Sequence, residues 1–334
     1  MDIAVAGGGS WGTTLADLLA NKAFKVTLWV YEEEVCRQIN ETGENKTYLP
    51  GISLSENLNA VTSLCEAVKN RDMVLWVTPS HVTRRLVSDV LPHISGETLI
   101  VNATKGFEEK TLMTVAGIME DVLPDEMFLK SAYLSGPSFA REVAEKCPTA
   151  VTVASRNQEV AEHVQEVFST PYFRVYTSDD ITGVVVGGAV KNVIAIGAGI
   201  SDGLGFGHNT RAALITRGLA EITRLGVALG ADPHTMSGLS GLGDLVLTCT
   251  GDLSRNRSLG LRLGRGEKIG SILDEMKTVA EGVKTANALK LLSKRIDIEM
   301  PITEKIYSIL YDGMNAETAV NELMTRELKK ETTD

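Results

Sequence analysis

The chain has 334 residues, of which 43% are hydrophobic and 23% are charged, and its formal net charge is -10. At about 150 residues per domain this length predicts two domains, each large enough to bury a core, which excludes a small disulfide-stapled protein. The composition is that of a globular protein rather than a disordered or fibrous one, and the negative net charge argues against a nucleic-acid-binding surface.

Short apolar runs alternate with helix-like segments over the first half of the chain. The predicted strands are 3–6, 26–30, 73–77, 98–102, 128–134, 150–154 and 173–176. The predicted helices between them are 13–21, 80–91, 112–122 and 158–168. Strands that are apolar on both faces and alternate with helices indicate a mostly parallel sheet covered by helices on each side.

A glycine-rich turn follows the first predicted strand. Gly7, Gly9 and Gly12 form a GxGxxG motif directly after the strand and directly before a helix. The first glycine permits a tight turn, the second lets the backbone approach a pyrophosphate, and the third allows close packing of helix on strand. We therefore expect residues 1–180 to form a Rossmann-type dinucleotide-binding domain, although a purely structural turn is the alternative.

The choice of dinucleotide depends on the residues that follow the second strand. Glu32 stands about where a carboxylate would bind the ribose 2′-hydroxyl of NAD, and no arginine or lysine stands there to hold a 2′-phosphate. Glutamates in the first turn of a helix also complement its dipole, which is the alternative role for Glu32. The sequence leaves NAD or NADP as the cofactor, with a slight preference for NAD.

Strand signals stop after about Asp180, and residues 181–334 are predicted to form an all-helical domain. The predicted helices are 181–200, 210–229, a stretch around Asp244, 271–276, 285–293 and 302–311. Asn209 or Thr210 would cap the second of these helices, and Pro301 suits the first turn of the last. The fold class expected for the whole chain is therefore α/β, a mostly parallel sheet followed by an all-α domain.

The helix over 181–200 contains the most informative side chain. It is long enough to cross a bilayer, but Lys191 and Asn192 stand at its midpoint, where an ammonium group is costly in hydrocarbon. We therefore expect a buried helix of a soluble protein and no integral membrane segment. Burial lowers the pKa of a lysine, so Lys191 is a candidate general acid and base unless a carboxylate counters the shift. A lysine whose head reaches solvent is the alternative.

The four cysteines are widely spaced and include no CxxC pair, so neither a metal site nor a disulfide framework is expected. Free thiols suit a reducing cytoplasm, and no secretory signal is expected from the first residues. Cys249 is interpreted as a small buried thiol rather than as a nucleophile.

Six runs of sequence together resemble the NAD(P)-dependent glycerol-3-phosphate dehydrogenases of the bacterial type. These runs are GGGSWGTTLA, NATKGFE, LSGPSFARE, GGAVKNVIAIGAGISDGLGFGHNTRAALITRGLAE, GLGDLVLTCTGDLSRNRSLG and EMPITEKIY. The resemblance implies that Lys191 is the proton acceptor in alcohol oxidation and also contacts the substrate. It further implies that the enzyme supplies glycerol 3-phosphate for phospholipid synthesis in the cytoplasm. A homodimer is also expected.

The resemblance assigns further residues to the site. The implied substrate contacts are Lys105, Gly136, Ser138, Asp244, Ser254, Arg255 and Asn256. The implied cofactor contacts are Ser10, Trp11, Lys105, Ala140, Arg255, Val279 and Glu281, besides the three glycines of the turn. Many members of the family carry a basic residue where this chain has Val30 and Tyr31.

Physical reasoning supports several of these assignments. Lys105 follows a strand at the end where open α/β sheets bind ligands, and Pro137 suits a helix start whose free N–H groups face an anion. The run from Ser254 to Asn256 has the donors of a phosphate clamp, because arginine offers forked donors and its neighbours add neutral ones. Thr248 is a plausible hydroxyl partner in the same site. The alternative for the clamp is a solvated arginine-rich loop.

Two other functions stay open on the residues alone. A 2-hydroxy-acid or ketopantoate-type dehydrogenase would share the fold but would need a carboxylate site rather than a phosphate site. A nicotinamide-binding sensor without catalysis would need neither Lys191 nor Asp244. The reaction that we expect is reversible hydride transfer between the nicotinamide ring and C2 of glycerol 3-phosphate, which gives dihydroxyacetone phosphate.

Overall fold

The computed structural model describes residues 1–276 and 280–331. Eight strands form a single sheet: β1 Asp2–Ala6, β2 Lys25–Trp29, β3 Leu58–Val61, β4 Met73–Trp76, β5 Leu99–Asn102, β6 Ser131–Ser135, β7 Thr149–Ala154 and β8 Phe173–Ser178. Their order is β3-β2-β1-β4-β5-β6-β7-β8, and every neighbouring pair is parallel except β6 and β7. The chain reverses its direction of winding between β1 and β4, which creates a crevice at the carboxyl ends of these strands.

Eight helices accompany the strands: α1 Ser10–Ala20, α2 Glu33–Thr42, α3 Leu64–Val68, α4 Ser80–Val90, α5 Val115–Val122, α6 Asp125–Phe128, α7 Ala140–Ala144 and α8 Gln158–Phe168. Apolar side chains of the sheet are buried on both of its faces, one core including Leu15 and Leu19 of α1 and the other including Val87 of α4. Burial on both faces is the reason why the strands show continuous apolar runs instead of alternation.

The rest of the described chain is helical: α9 Ile181–Gly203, α10 His208–Ala228, α11 Pro233–Met236, α12 Asp244–Thr250, α13 Arg255–Gly264, α14 Ile269–Glu275, α15 Glu281–Arg295, α16 Pro301–Tyr311 and α17 Ala316–Met324. The predicted fold class, a mostly parallel sheet followed by helices, is confirmed. A π-helical turn at Leu239–Gly243 leads directly into α12.

Helix α9 connects the two parts of the protein. Val184 and Val185 near its start pack in the core on one face of the sheet, whereas Val190 and Ile194 lie in the core formed by the later helices. The helix is long and apolar enough to cross a membrane, and the whole of its most apolar window is buried inside the protein. The prediction of a buried core helix is therefore confirmed.

Several local expectations were wrong. The predicted strand 128–134 begins only at Ser131, and Gly207 rather than Asn209 or Thr210 caps α10. Pro137 does not start a helix, because α7 begins three residues later at Ala140. The expected role of Pro301 is confirmed, since it is the first residue of α16.

Candidate active site

The glycine-rich turn has the geometry that a pyrophosphate needs. A Cβ on Gly7 would lie 2.5 Å from the carbonyl oxygen of Val77, and one on Gly12 would lie 1.9 Å from the carbonyl oxygen of Gly7. Gly7 also has a φ of +135°, which favours glycine. Gly9 differs from both, because a Cβ there would meet no atom within 4 Å. Gly7 and Gly12 thus shape the turn, and Gly9 leaves the space in front of it open.

The start of α1 presents donors to this open space. Gly9 is the N-cap of α1 and supplies no side-chain hydrogen bond to the first N–H groups of the helix. Ser10 is partly exposed on the first turn, and the indole N–H of Trp11 is buried without a partner among the described residues. Free N–H groups at a helix start attract anions. These features fit the pyrophosphate of a dinucleotide.

Asn45 holds the turn in place, and sequence reasoning missed this role. Its side chain is fully buried, and its Nδ2 donates to the carbonyl oxygen of Gly8 at 2.9 Å and to Oγ1 of Thr13 at 2.8 Å. A buried amide with these partners fixes both ends of the turn. The position lies 37 residues from Gly8, in a segment with no strand or helix signal, so no local pattern reveals it.

Lys191 and Lys105 meet at one carboxylate. Nζ of Lys191 donates to Oδ1 of Asp244 at 2.5 Å, and Nζ of Lys105 donates to Oδ2 of the same residue at 2.7 Å. Thr248 adds a contact of 2.9 Å between its Oγ1 and Nζ of Lys191. Lys105 follows the carboxyl end of β5, so this cluster lies at the edge of the sheet where the dinucleotide turn is also located.

Burial determines the protonation of Lys191. The residue is only 6% exposed. Burial lowers the pKa of Lys191 from 10.5 to about 8, although the negative charge of Asp244 raises it, and the positive charge of Lys105 lowers it further. The competition between desolvation and the carboxylate is thus decided in favour of desolvation. An amine with a pKa near 8 can both accept and release a proton at neutral pH.

The loop between β6 and α7 faces the same cluster. Gly136 has a φ of +149°, and a Cβ there would lie 2.8 Å from Cα of Val151. Oγ of Ser138 donates to the carbonyl oxygen of Gly136 at 3.0 Å, which leaves its oxygen free to accept. A Cβ on Gly243, directly before Asp244, would lie 3.5 Å from Cγ of Pro137. The GPS segment therefore contacts the segment that carries the carboxylate.

Ala140 lies on the dinucleotide side of this loop. Its carbonyl oxygen accepts a hydrogen bond of 3.1 Å from Oγ1 of Thr14 in α1. The contact holds the start of α7 against the helix whose first turn faces the pyrophosphate space. The cofactor contact that the resemblance implies for Ala140 stays a prediction.

The three residues of the expected phosphate clamp form the start of α13. Ser254 is the N-cap and its Oγ accepts from the N–H of Arg257 at 3.2 Å. Arg255 is exposed and forms no ion pair with any side chain in the described ranges. Oδ1 of Asn256 accepts from the N–H of Gly282 at 3.0 Å, so its Nδ2 stays available as a donor. An unpaired guanidinium beside a helix start suits an anionic group.

Glu281 lies among the positive charges of the site. It is the first residue of α15 and is half-buried. Burial raises its pKa, whereas the positive charges of Arg255 and the two lysines lower it. Glu281 therefore feels the charges of all three cations. Val279, the other expected cofactor contact in this segment, lies outside the described residues.

Glu32 is held by a tyrosine that the sequence did not reveal as part of the site. The hydroxyl of Tyr48 donates to Oε1 of Glu32 at 2.7 Å. This hydrogen bond, together with burial, raises the pKa of Tyr48 to about 12, while the charge of Arg255 lowers it. Glu32 follows β2 and is the N-cap of α2 without a side-chain capping bond. Its carboxylate therefore follows β2, at the position for which the sequence predicts a contact with the adenosine ribose.

Cys249 takes no part in this arrangement. It is fully buried, and burial raises its pKa to about 12, so the thiolate form that a nucleophile requires is disfavoured. Over residues 1–276 and 280–331 there is no group of three His, Cys, Asp or Glu side chains placed to hold a metal ion.

A sheet with a glycine-rich turn at its switch point, joined to a helical region that brings a buried lysine to the same edge, defines a two-part dinucleotide-binding protein of the dehydrogenase class. The chain matches the models for the N-terminus and the C-terminus of the NAD-dependent glycerol-3-phosphate dehydrogenases over residues 2–161 and 180–321. The chain belongs to this family.

Relatives match over nearly the full length. A protein of Citrifermentans bemidjiense named glycerol-3-phosphate dehydrogenase (NAD(P)+) is 58% identical over 98% of each chain. A protein of Leptospira biflexa with the same name is 49% identical over 99% of each chain. The crystal structure of glycerol-3-phosphate dehydrogenase from Coxiella burnetii has a TM-score of 0.92 at 40% identity and covers 97% of this chain and 99% of its own.

More distant structures share the fold alone. A ketopantoate reductase from Ralstonia eutropha has a TM-score of 0.62 at 15% identity, covering 96% of this chain and all of its own. The alternative of a ketopantoate-type dehydrogenase thus predicted the right fold. The family membership favours glycerol-3-phosphate dehydrogenase over that alternative.

Proposed function

We propose that the protein interconverts sn-glycerol 3-phosphate and dihydroxyacetone phosphate with NAD or NADP, and that the residues described above form its active site. The observation that carries the proposal is the bridge from Lys191 through Asp244 to Lys105, which holds a buried amine at the dinucleotide edge of the sheet. Residues 1–180 bind the dinucleotide, and residues 181–334 supply the proton acceptor and hold the substrate phosphate.

A bound nicotinamide cofactor would supply the hydride acceptor for C2 of glycerol 3-phosphate and the hydride donor for the ketone. In oxidation, neutral Lys191 takes the proton of the C2 hydroxyl group at its Nζ. In reduction, the ammonium form of Lys191 donates that proton to the developing alkoxide. Asp244 and Thr248 fix the direction of Nζ by the two hydrogen bonds that they make with it.

The phosphate end of the substrate is held by the start of α13. Arg255 forms no ion pair with a side chain of the described residues, and Ser254 and Asn256 offer neutral groups beside it. Gly136 and Ser138 line the substrate side, where their loop packs against the segment before Asp244. Binding a remote anion orients the reacting carbon, so that a substrate of three carbons reacts selectively.

The open space of the glycine-rich turn, which Gly7 and Gly12 shape, would hold the dinucleotide. The N–H groups around Gly9 and Ser10 would donate to its pyrophosphate. The remaining contacts are made by Trp11, Lys105, Ala140, Arg255, Val279 and Glu281. The positions of Lys105, Ala140 and Arg255 support the assignment, and the assignments of Trp11, Val279 and Glu281 rest on the family resemblance.

The cellular role that fits this reaction is the supply of glycerol 3-phosphate for phospholipid synthesis in the cytoplasm. Four free cysteines support a reducing compartment. Loss of the protein is expected to deplete cellular glycerol 3-phosphate, which metabolite quantification measures. Exposed apolar side chains on the helical part, including Val227, Leu253 and Leu291, support a homodimer, which light scattering of the purified protein tests.

The reaction is tested by following oxidation of NADH or NADPH at 340 nm with dihydroxyacetone phosphate. Lys191→Met is expected to abolish turnover while the dissociation constant of NADH stays within about twofold, because the side chain is replaced by one of similar length without an amine. Loss of turnover together with loss of NADH binding would show that the lysine is structural.

The phosphate clamp is tested with Arg255→Met. Charge-assisted hydrogen bonds contribute about 1.5–3 kcal/mol, so kcat/KM for dihydroxyacetone phosphate is expected to fall about 10- to 100-fold. The unphosphorylated substrate, dihydroxyacetone, serves as the control, because at saturating NADH its rate should hardly change. Equal rates of the unaltered enzyme with the two substrates would contradict a phosphate site.

A further inference from the structure

A buried carboxylate in the last turn of α9 joins three helices. Oδ1 of Asp202 accepts from Nε and NH2 of Arg211 at 2.9 and 2.6 Å, and its Oδ2 accepts from Nε of Arg257 at 3.0 Å. The side chain of Asp202 is 7% exposed and that of Arg257 is 13% exposed. Arg211 belongs to α10 and Arg257 to α13. Buried ion pairs of this kind are geometrically demanding, and breaking one leaves an uncompensated charge.

Arg257 is fully engaged within the protein. Besides Asp202 it binds Asp252, with 2.8 Å between NH1 and Oδ1 of that residue. Its guanidinium is thus neutralised by two carboxylates, in contrast to Arg255, which is only two positions earlier. Residues two positions apart on a helix project about 200° apart, so Arg257 points to α9 when Arg255 points away from it.

Helix α13 lies in backbone contact with α9 along its whole length. A Cβ on Gly199 would lie 2.0 Å from the carbonyl oxygen of Arg257, and one on Gly260 would lie 2.0 Å from that of Ile196. A Cβ on Gly264 would lie 2.3 Å from the carbonyl oxygen of Ile200. Small residues spaced four apart allow this close approach. The glycines set the distance between the helices, but they supply no directional bond to fix the rotation of α13.

We propose that Asp202 is a positioning residue that orients the substrate-phosphate site through Arg257. The ion pair fixes the rotation of α13 on α9 and so fixes the direction in which the start of α13 presents Arg255 and Asn256. Asp202 lies eleven residues, or about 16 Å along the helix, beyond Lys191, so it acts on the substrate only through α13. The inference rests on the proposed function, because it assumes that the start of α13 binds the phosphate.

The test compares Asp202→Asn with Arg211→Gln, a control that removes the other partner of Asp202 and leaves Arg257 in place. Asp202→Asn is expected to raise the KM for dihydroxyacetone phosphate at least tenfold, with kcat at saturation within about threefold and the dissociation constant of NADH within twofold. The inhibition constant of inorganic phosphate against this substrate should rise in parallel. Arg211→Gln should change the same KM less than threefold.

A double variant makes the route of the effect explicit. If Asp202 acts through Arg257, the variant that combines Asp202→Asn with Arg257→Gln will show a KM no higher than the worse single variant, because both changes break one contact. A KM of the double variant that reflects the sum of the two single effects would show that Asp202 does not act through Arg257. Should Asp202→Asn fail to fold, Arg257→Lys carries the test, since a lysine keeps the charge but lacks the forked donors that reach both carboxylates.

Three results would overturn the proposal. One is a lower melting temperature of Asp202→Asn with an unchanged KM, which indicates a structural role alone. Another is an equal loss of NADH affinity and substrate affinity, and the third is an equal effect of Arg211→Gln. Failure of the proposed function is a separate outcome, because in that case Arg255→Met would also leave the KM and the inhibition by phosphate unchanged.

Discussion

The protonation of Lys191 predicts opposite pH dependences for the two directions of the reaction. Oxidation requires the neutral amine and reduction requires the ammonium form. With a pKa of about 8, kcat/KM for glycerol 3-phosphate should rise as the pH increases through 8, and kcat/KM for dihydroxyacetone phosphate should fall over the same interval. Measurements from pH 7 to 10 avoid the second ionisation of the substrate phosphate near pH 6.

Replacing Asp244 by Asn tests the cause of this pKa. At about 4 Å between charge centres and an effective dielectric constant of about 20, a charge pair contributes about 4 kcal/mol. At about 1.4 kcal/mol per pKa unit this corresponds to about 3 units. Asp244 is shared with Lys105, which reduces its effect on Lys191, so we expect both pH profiles to move down by about 2 units. The midpoint then lies below pH 7, and the rates of Asp244→Asn should be nearly independent of pH from 7 to 10 in both directions.

The assay is the initial rate at saturating NAD+ or NADH across the pH range, with Thr248→Val as the matched control. The Thr248 hydroxyl is neutral, and a neutral hydrogen bond contributes about 1 kcal/mol, so the control should move the profiles by less than about one unit. A profile of Asp244→Asn that moves to higher pH would refute the electrostatic reasoning. If kcat/KM changed in the same sense with pH for oxidation and for reduction, Lys191 would not be the group that exchanges the proton.

Three further predictions concern the turn, the cofactor and the packing of α13. Gly12→Ala should lower the melting temperature, because the added Cβ would overlap a backbone oxygen. Gly9→Ala should keep the melting temperature of the unaltered protein but bind NADH more weakly in a fluorescence titration. Glu32→Gln should lower the dissociation constant of NADP+ relative to NAD+ in calorimetry, since removal of a negative charge favours the 2′-phosphate; an unchanged ratio would contradict the role of Glu32. Gly260→Ala should lower the free energy of unfolding by about 1–3 kcal/mol in denaturant unfolding. Gly270→Ala is the control: its Cβ would point into open space within a helix, so the free energy of unfolding should rise slightly.

The sequence alone was sufficient wherever the structure depends on local patterns. Continuous apolar runs between helices predicted the parallel sheet, and the GxGxxG motif predicted the turn, because the side chains and backbone that form these features are close in the chain. The apolar surroundings of Lys191 likewise predicted its burial from residues within two helical turns. The short strand β3, in which Asn59 is exposed and Val61 is only partly buried, had no such signal.

Helix α13 shows why other features needed the tertiary structure. Its sequence, RNRSLGLRLG, is rich in arginine and contains two glycines, so it resembles a loop. It is helical in the protein because both glycines pack against the backbone of α9 and because Arg257 finds Asp202, which is 55 residues away. No local preference encodes a contact over that separation.

The direction of the pKa shift of Lys191 also depends on contacts between residues that are far apart in the sequence. The sequence showed that burial and a carboxylate would oppose each other, but it could not supply the distance between Nζ and Asp244, 53 residues apart. The fold divides the two oxygens of that carboxylate between two lysines, and the second positive charge helps burial to lower the pKa. The periodicity of apolar residues along a chain indicates which side chains are buried. Only the packing of helices and strands determines which charged groups come into contact, because electrostatic energy depends on distances in space.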